Sequence, residues 1–202
     1  AQNTSMGYNS MTSNTTGSSN TAVGYRALLN NTTADNNTAI GWDTLKDSST
    51  GANNLAVGYK ALYANTTADN NTALGANALE ANTTGASNTA VGKSALVANT
   101  ASNLTAVGYF ALKANTTGTK NVALGYNALL TSTTASNNTA LGYDALKLTT
   151  TGVENVAVGS EALDANTTGR ENTSIGYVAL GANTTGDNNT AVGRSALGAN
   201  TT

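Results

Sequence analysis

Few side chains in this sequence could carry out chemistry, and they are scattered. There is no His and no Cys, which excludes Ser-His-Asp triads, cysteine nucleophiles, disulfides and zinc-finger sites. A glycosidase site needs two carboxyl groups facing each other across a cleft. The acidic residues are instead predicted to be solvated charges at outward or turn positions. They include Asp35, Asp43, Asp69, Asp144, Glu161 and Asp164. We therefore expect no enzyme activity, no catalytic residue, no metal site and no cofactor.

The tripeptide Gly92-Lys93-Ser94 matches only the end of a phosphate-binding loop. That loop also requires a glycine where Ser87 stands. A net charge of −2 with a pI near 4.9 argues against a nucleic-acid-binding surface. No apolar run approaches the ~20 residues that cross a bilayer. We expect neither a nucleic-acid partner nor membrane insertion by this segment.

A glycine that follows an aliphatic residue recurs along the whole sequence. The spacing is 17 residues, except for one spacing of 16 between Gly92 and Gly108. The glycines are Gly7, Gly24, Gly41, Gly58, Gly75, Gly92, Gly108, Gly125, Gly142, Gly159, Gly176 and Gly193. This fixed period predicts a single repeat array over residues 1–202, which we interpret as a fragment of a longer fibre.

Comparing the repeats by position separates buried from exposed residues. Four residues after the glycine stands Met11 and then a leucine in every repeat, from Leu28 to Leu197; we call this the leucine column. The residue before the glycine is always aliphatic, from Met6 and Val23 to Val192, and forms the aliphatic column. We predict that these two columns form the core. The positions two before and three after the glycine are almost always Ala, so another backbone must pass close to them.

The alternation in Thr-Ala-Val predicts a short strand, and the residues from the glycine through Ala-Leu predict a second one. Asn-Thr-Thr-Gly is typical of turns. The sequence therefore predicts an all-β fold, a parallel β-solenoid of about twelve 17-residue coils. Stacked asparagines should form ladders along it. The 16-residue coil should lose its residue from the turn around Thr100-Ala101-Ser102, with Leu104 replacing a laddered asparagine.

The predicted core is thin, because each coil supplies one Val-type residue, one Leu and a few alanines. A small cross-section is difficult to stabilise alone. The small-residue columns suggest that the missing surface belongs to another copy of the chain, so we predict a homotrimer.

The unit Asn-Thr-Ala-Val-Gly-x-x-Ala-Leu resembles the head-domain repeats of trimeric autotransporter adhesins. With the following Asn-Thr-Thr-Gly it is also similar to repeat arrays of bacteriophage tail fibres. The resemblance covers essentially the whole chain. It implies a left-handed parallel β-roll, trimeric assembly, and a structural role in an extracellular fibre at a cell surface or on a virion. A host receptor or a surface glycan would then be its partner. The period of 17 exceeds the usual adhesin unit, which implies larger turns.

The residue after the glycine is often aromatic and forms what we call the ring column. Its members are Tyr8, Tyr25, Trp42, Tyr59, Tyr109, Tyr126, Tyr143 and Tyr177. Lys93 and Arg194 occupy the same position in other coils, so the column should reach solvent. These rings could cover the edge of the core or a neighbouring subunit, or they could form a glycan-binding stripe. Ice binding by the threonines of Asn-Thr-Thr is a further alternative, although two adjacent turn threonines cannot both face outward from one strand.

Overall fold

The computed structural model of the protein describes residues 2–201 and divides into two units, one ending at Asn103 and one beginning at Leu104. Both units are all-β, and the described residues contain no helix. The strands of the first unit are β1 (Thr4–Met6), β2 (Thr21–Val23), β3 (Thr38–Ile40), β4 (Leu55–Val57), β5 (Thr72–Leu74) and β6 (Thr89–Val91). Those of the second are β7 (Thr105–Val107), β8 (Val122–Leu124), β9 (Thr139–Leu141), β10 (Val156–Val158), β11 (Thr173–Ile175) and β12 (Thr190–Val192).

Within each unit, consecutive strands pair in parallel and in register. Thr21 of β2 lies beside Thr4 of β1 and Thr38 of β3. In the second unit, Thr139 of β9 lies beside Val122 of β8 and Val156 of β10. This pairing places equivalent residues of successive coils at the spacing of neighbouring strands, about 4.8 Å. The prediction of a parallel β-solenoid with 17-residue coils is confirmed in both units.

Each coil contains one strand, not the two that the sequence predicted. After Gly58, for example, Lys60 and Leu62 have φ angles of 53° and 51°, in the left-handed region. The same two positions have positive φ in every other coil. A backbone that alternates into this region cannot continue as a strand. The prediction of a second strand was wrong because the narrow coil has to reverse its direction within these few residues.

The repeated glycine is required by its backbone and by its neighbour in the next coil. Its φ lies between 125° and 146° in all twelve coils, a region that residues with a side chain rarely adopt. A Cβ on Gly24 would also lie only 2.2 Å from the carbonyl oxygen of Gly41. The stacking of one coil on the next therefore requires glycine at this position.

The leucine column forms the core, as predicted. Every leucine of the column from Leu28 to Leu180 has 0% of its surface exposed. From Ala22 to Ala179, the alanines two before and three after the glycine are equally buried; Ala56 and Ala61 are examples at 0%. In one coil Ser174 replaces the first of these alanines, and its Oγ donates to the carbonyl of Ala179 at 2.7 Å. The two small-residue columns therefore face each other across the interior of the coil.

The aliphatic column lies outside the core, which corrects the sequence prediction. Its side chains are half-buried or exposed: Ile40 is 40% exposed and Leu124 45%, and the exposure reaches 66% at Met6 and 67% at Val192. Side chains alternate between the two faces of a strand, so an inward Ala56 requires an outward Leu55 and Val57. The interior of the coil is too narrow for a larger residue at the inward position. The small columns are accordingly filled by the chain's own coil and do not mark a contact with another copy.

Asparagines close each coil and link it to the next. The first asparagine ladder comprises the asparagines four residues before the glycine, among them Asn20, Asn37 and Asn54. The N–H of Asn37 donates to Oδ1 of Asn20 at 2.8 Å, and its Nδ2 donates to the carbonyl of Gly51 at 2.8 Å. The second asparagine ladder lies seven residues after the glycine. Its Asn65 donates to the carbonyl of Ala68 at 3.1 Å, which also accepts from Asn54 at 2.9 Å. The predicted ladders are therefore present, and they lie in the interior.

The 16-residue coil is shortened in its turn, as predicted. Nδ2 of Asn99 donates to the carbonyl of Ala101 at 2.8 Å, and Oδ1 of Asn99 accepts the N–H of Ala101 at 3.0 Å. In the preceding coil the corresponding bond runs from Asn82 to Gly85, one residue further along the chain. Leu104 occupies the asparagine position and is buried, with 1% exposure.

Candidate interaction surfaces

The ring column lies on the surface, where the sequence predicted it. Tyr25 and Tyr109 are half-buried, and the other six rings are exposed. Each ring follows the bend that recurs at every repeated glycine, so the in-register coils bring rings of adjacent coils together. Substituted coils interrupt the column with Ala76, Ser160 and Arg194.

The rings stack on one another along the column. In the first unit Tyr8 and Tyr25 lie 5.4 Å apart with their planes 8° from parallel, and Trp42 lies 4.1 Å beyond Tyr25. The second unit contains a run of three tyrosines, Tyr109, Tyr126 and Tyr143, which we call the tyrosine stack. Its ring centroids are separated by 5.3 Å at both steps. Because neighbouring rings cover one another's faces, mainly ring edges are left for a ligand.

The two remaining rings have cations beside them. Lys60 lies 5.5 Å from the ring centroid of Tyr59, and Arg194 lies 5.7 Å from that of Tyr177. These distances fit cation–π contacts at exposed sites. A pyranose ring packs on an open aromatic face, and the stacks leave few such faces. The glycan-binding role of the column stays a prediction, and the stacking disfavours it.

A second surface is formed by the outward side chains of the strands. We call it the strand face: the residues three before and one before each repeated glycine. On the first unit it carries exposed Met6, Ile40 and Leu55, at 66%, 40% and 37% exposure. On the second unit it carries Val122 and Leu141, both 41% exposed. The regular aliphatic residue before each glycine signals this surface, although its hydrophobicity favours a place in the core.

The strand face contains no charged residue in any coil. Its outer position is threonine in nine coils and Leu55, Val122 or Val156 in the other three. Charged residues are found instead in the turns between strands, as with Arg26, Asp35 and Asp43. The strand face is therefore an uncharged surface of threonine and aliphatic side chains, repeated from coil to coil within each unit.

The turn threonines satisfy backbone groups of neighbouring coils. Oγ1 of Thr15 donates to the carbonyl of Thr32 at 2.9 Å, and Oγ1 of Thr116 donates to that of Thr133 at 3.0 Å. A hydroxyl that is bonded in this way is less free to order water. The first threonine of each Asn-Thr-Thr is thus a poor element of an ice-binding array.

Two of the acidic residues expected to be solvated are buried in ion pairs. Arg26 donates to Asp43 through Nε at 2.7 Å and Nη2 at 2.6 Å, and Asp43 is only 3% exposed. Lys147 binds Asp144 at 2.8 Å, and this hydrogen bond raises the pKa of the lysine. The sequence could not show the first pair because Arg26 lies one coil away from Asp43, whereas Asp144 and Lys147 are three residues apart in one coil. Asp35 and Asp69 remain exposed, and each accepts a backbone N–H of the preceding coil.

No group of three acidic side chains in residues 2–201 is placed to hold a metal ion. No cavity of ligand size is found within the described part of either unit. The described residues also contain no helix that is long and apolar enough to cross a membrane. Comparison of the chain with protein-family models, with curated proteins and with solved structures gives no match.

Proposed function

We propose that the chain is a structural segment of an extracellular trimeric fibre or adhesin that supports attachment to a host or surface. The observation that carries the proposal is the strand face, a column of aliphatic side chains left in solvent on each unit. Complete burial of an exposed aliphatic side chain contributes about 1.5–3 kcal/mol. Covering the exposed part of each side chain contributes a fraction of that, and the repeated column adds these fractions into a driving force for association. A segment of this kind would have no enzyme activity and would act by holding other parts of a fibre at a distance.

The composition of the strand face favours another copy of the same chain as its partner. A face without charges can meet its own copy without burying an unpaired charge, which would be costly. The same face offers a charged partner no ion pair. Three narrow solenoids that turn their strand faces toward a common axis would form one shared core, which the thin interior of a single coil does not supply.

A charge placed on the strand face tests this proposal. We expect the double variant Ile40→Lys, Leu141→Lys to elute as a single chain with its β-sheet circular dichroism retained. The matched control, Thr33→Lys with Thr134→Lys, puts the same charges on exposed turn positions and should elute with the unmodified trimer. If the strand-face variant and the control elute alike, the strand face is not the contact.

Ice binding through the strand face is the second candidate, and it rests on the outward threonines of the strands, not on those of the Asn-Thr-Thr turns. Thr4, Thr21 and Thr38 project outward from three consecutive in-register strands, each two residues from an aliphatic side chain. This gives a regular Thr-x-aliphatic array at the strand spacing of about 4.8 Å. A monomeric chain with thermal hysteresis would favour this function, whereas a trimer without hysteresis would favour the fibre.

A further inference from the structure

The chain has no cysteine and therefore cannot be cross-linked by disulfide bonds, but tyrosine rings of consecutive coils stack face to face. We infer that the tyrosine stack, Tyr109, Tyr126 and Tyr143, is a site of oxidative cross-linking. A one-electron oxidant joins tyrosines of consecutive coils there by a dityrosine bond. This property follows from the stack alone and does not depend on the proposed fibre function.

The geometry brings matching ring atoms of the stack close together. The planes of Tyr109 and Tyr126 are 10° from parallel and those of Tyr126 and Tyr143 are 6° from parallel, with centroids 5.3 Å apart in both pairs. In parallel rings of like orientation, each carbon lies about one centroid spacing from its counterpart. The three rings follow equivalent positions of in-register strands, so rotation and tilt of the ring side chains can bring the carbons ortho to two neighbouring hydroxyls together.

The backbone holds the three tyrosines in this order while leaving the rings accessible. The carbonyl of Tyr109 accepts the N–H of Asn127 at 3.0 Å, and that of Tyr126 accepts the N–H of Asp144 at 2.9 Å. These bonds fix the register of one coil on the next. The side chains of Tyr126 and Tyr143 are 44% and 50% exposed, so an oxidant can reach them from solvent.

The reaction balances with hydrogen peroxide as the terminal oxidant and a peroxidase as the catalyst. Each of two phenols loses one electron and one proton to give a tyrosyl radical. The two radicals form a carbon–carbon bond between their ortho positions, and the two ring protons shift to restore the phenols. Two tyrosines and one peroxide therefore yield one dityrosine and two waters, with a loss of two hydrogens from the protein.

Tyr177 provides a control within the same column. Its neighbours one coil away are Ser160 and Arg194, neither of which can form a dityrosine. It is about as exposed as Tyr143, at 48% against 50%. Accessibility alone would make these two residues equally reactive, whereas stacking favours cross-links of Tyr143.

The test oxidises the folded full-length chain with peroxidase and hydrogen peroxide and takes the monomer band of a denaturing gel for trypsin digestion. Tyr109 lies in the tryptic peptide 94–113, and Tyr126 and Tyr143 both lie in 121–147. We expect a linked pair of these two peptides, two hydrogens lighter than their sum. We also expect peptide 121–147 lighter by two hydrogens, with dityrosine fluorescence in both products.

Two conservative variants separate stacking from chance collision. Tyr126→Phe keeps a ring in the stack but removes its phenol, and we expect it to abolish both products. Tyr177→Phe should leave both unchanged. The inference is overturned if dityrosine forms only between chains, if Tyr126→Phe leaves the yields unchanged, or if peptide 171–194, which holds Tyr177, is linked as often as the stack peptides.

Discussion

Asn20 fixes the position of Asn37 one coil further along: its Oδ1 accepts the backbone N–H of Asn37 at 2.8 Å. Both residues are buried, and Asn37 does the same for Asn54 at 2.9 Å. The side-chain oxygen of Asn20 thus accepts from the N–H of Asn37, a backbone donor that lies just before the strand and is not paired within it. A solenoid with such short strands depends on these side chains for much of its coil-to-coil bonding.

Removal of one asparagine from this ladder should destabilise its unit. Asn37→Ala deletes the acceptor for Asn54 and the donor to Gly51, and each buried group left unpaired costs about 1–3 kcal/mol. Urea unfolding followed by circular dichroism measures the loss. The exposed turn variant Thr33→Ala should change stability by less than about 0.5 kcal/mol. Equal stabilities of the two variants would show that the ladder is not structural.

The two neighbouring residues Ala56 and Val57 should respond oppositely to a change in size. Ala56→Val forces two methyl groups into a filled interior, and we expect a loss of about 1–3 kcal/mol in the free energy of unfolding. Val57→Ala shortens an outward side chain and should leave the fold intact while weakening association between copies. If Ala56→Val is tolerated and Val57→Ala unfolds the chain, the assignment of the two strand faces is wrong.

Three features were predictable from sequence, because each depends only on comparing equivalent positions of the repeats: the period of the array, the burial of the leucine column and the surface position of the ring column. The directions in which Ala56 and Val57 point were not predictable. A period-two pattern identifies two faces of a strand without saying which one is inside, and hydrophobicity alone places Val57 inside. The width of the interior is set by the left-handed residues of the turn, and it is small enough that Ala56 points inward instead. The φ of 51° at Leu62 could not be predicted either, since leucine disfavours the left-handed region.

Val178 should be a weak point of the second unit. It adopts a φ of 54°, which is unfavourable for residues with a side chain and worst for β-branched ones. Asn9, Asn77 and Asn127 occupy the same position in other coils. Val178→Asn should therefore raise the free energy of unfolding by about 1 kcal/mol, measured by thermal or urea unfolding. Val178→Ile, which keeps the β-branch, should give no gain; a gain for isoleucine alone would point to packing instead.

Asp164 should make the protein more stable in mild acid. Burial raises the pKa of its carboxyl group above the usual 3.8, and the nearby Glu161 carboxylate raises it further. The folded state therefore binds a proton more readily than the unfolded state. The destabilisation that the charged carboxylate causes in the folded state is lost as pH falls through the raised pKa. We expect Asp164→Asn to be more stable than the unmodified chain at pH 7, with a difference that shrinks in acid. A less stable variant at pH 7 would contradict this reading.

The mass of the chain in solution tests the central proposal, that the strand faces of three copies form a shared core. Light scattering coupled to size-exclusion chromatography gives this mass without reference to shape. The account predicts about three times the 20.1 kDa of one chain, constant over a dilution series. A mass of 20.1 kDa with native β-sheet circular dichroism would contradict it, because the aliphatic strand face would then be stable in water by itself.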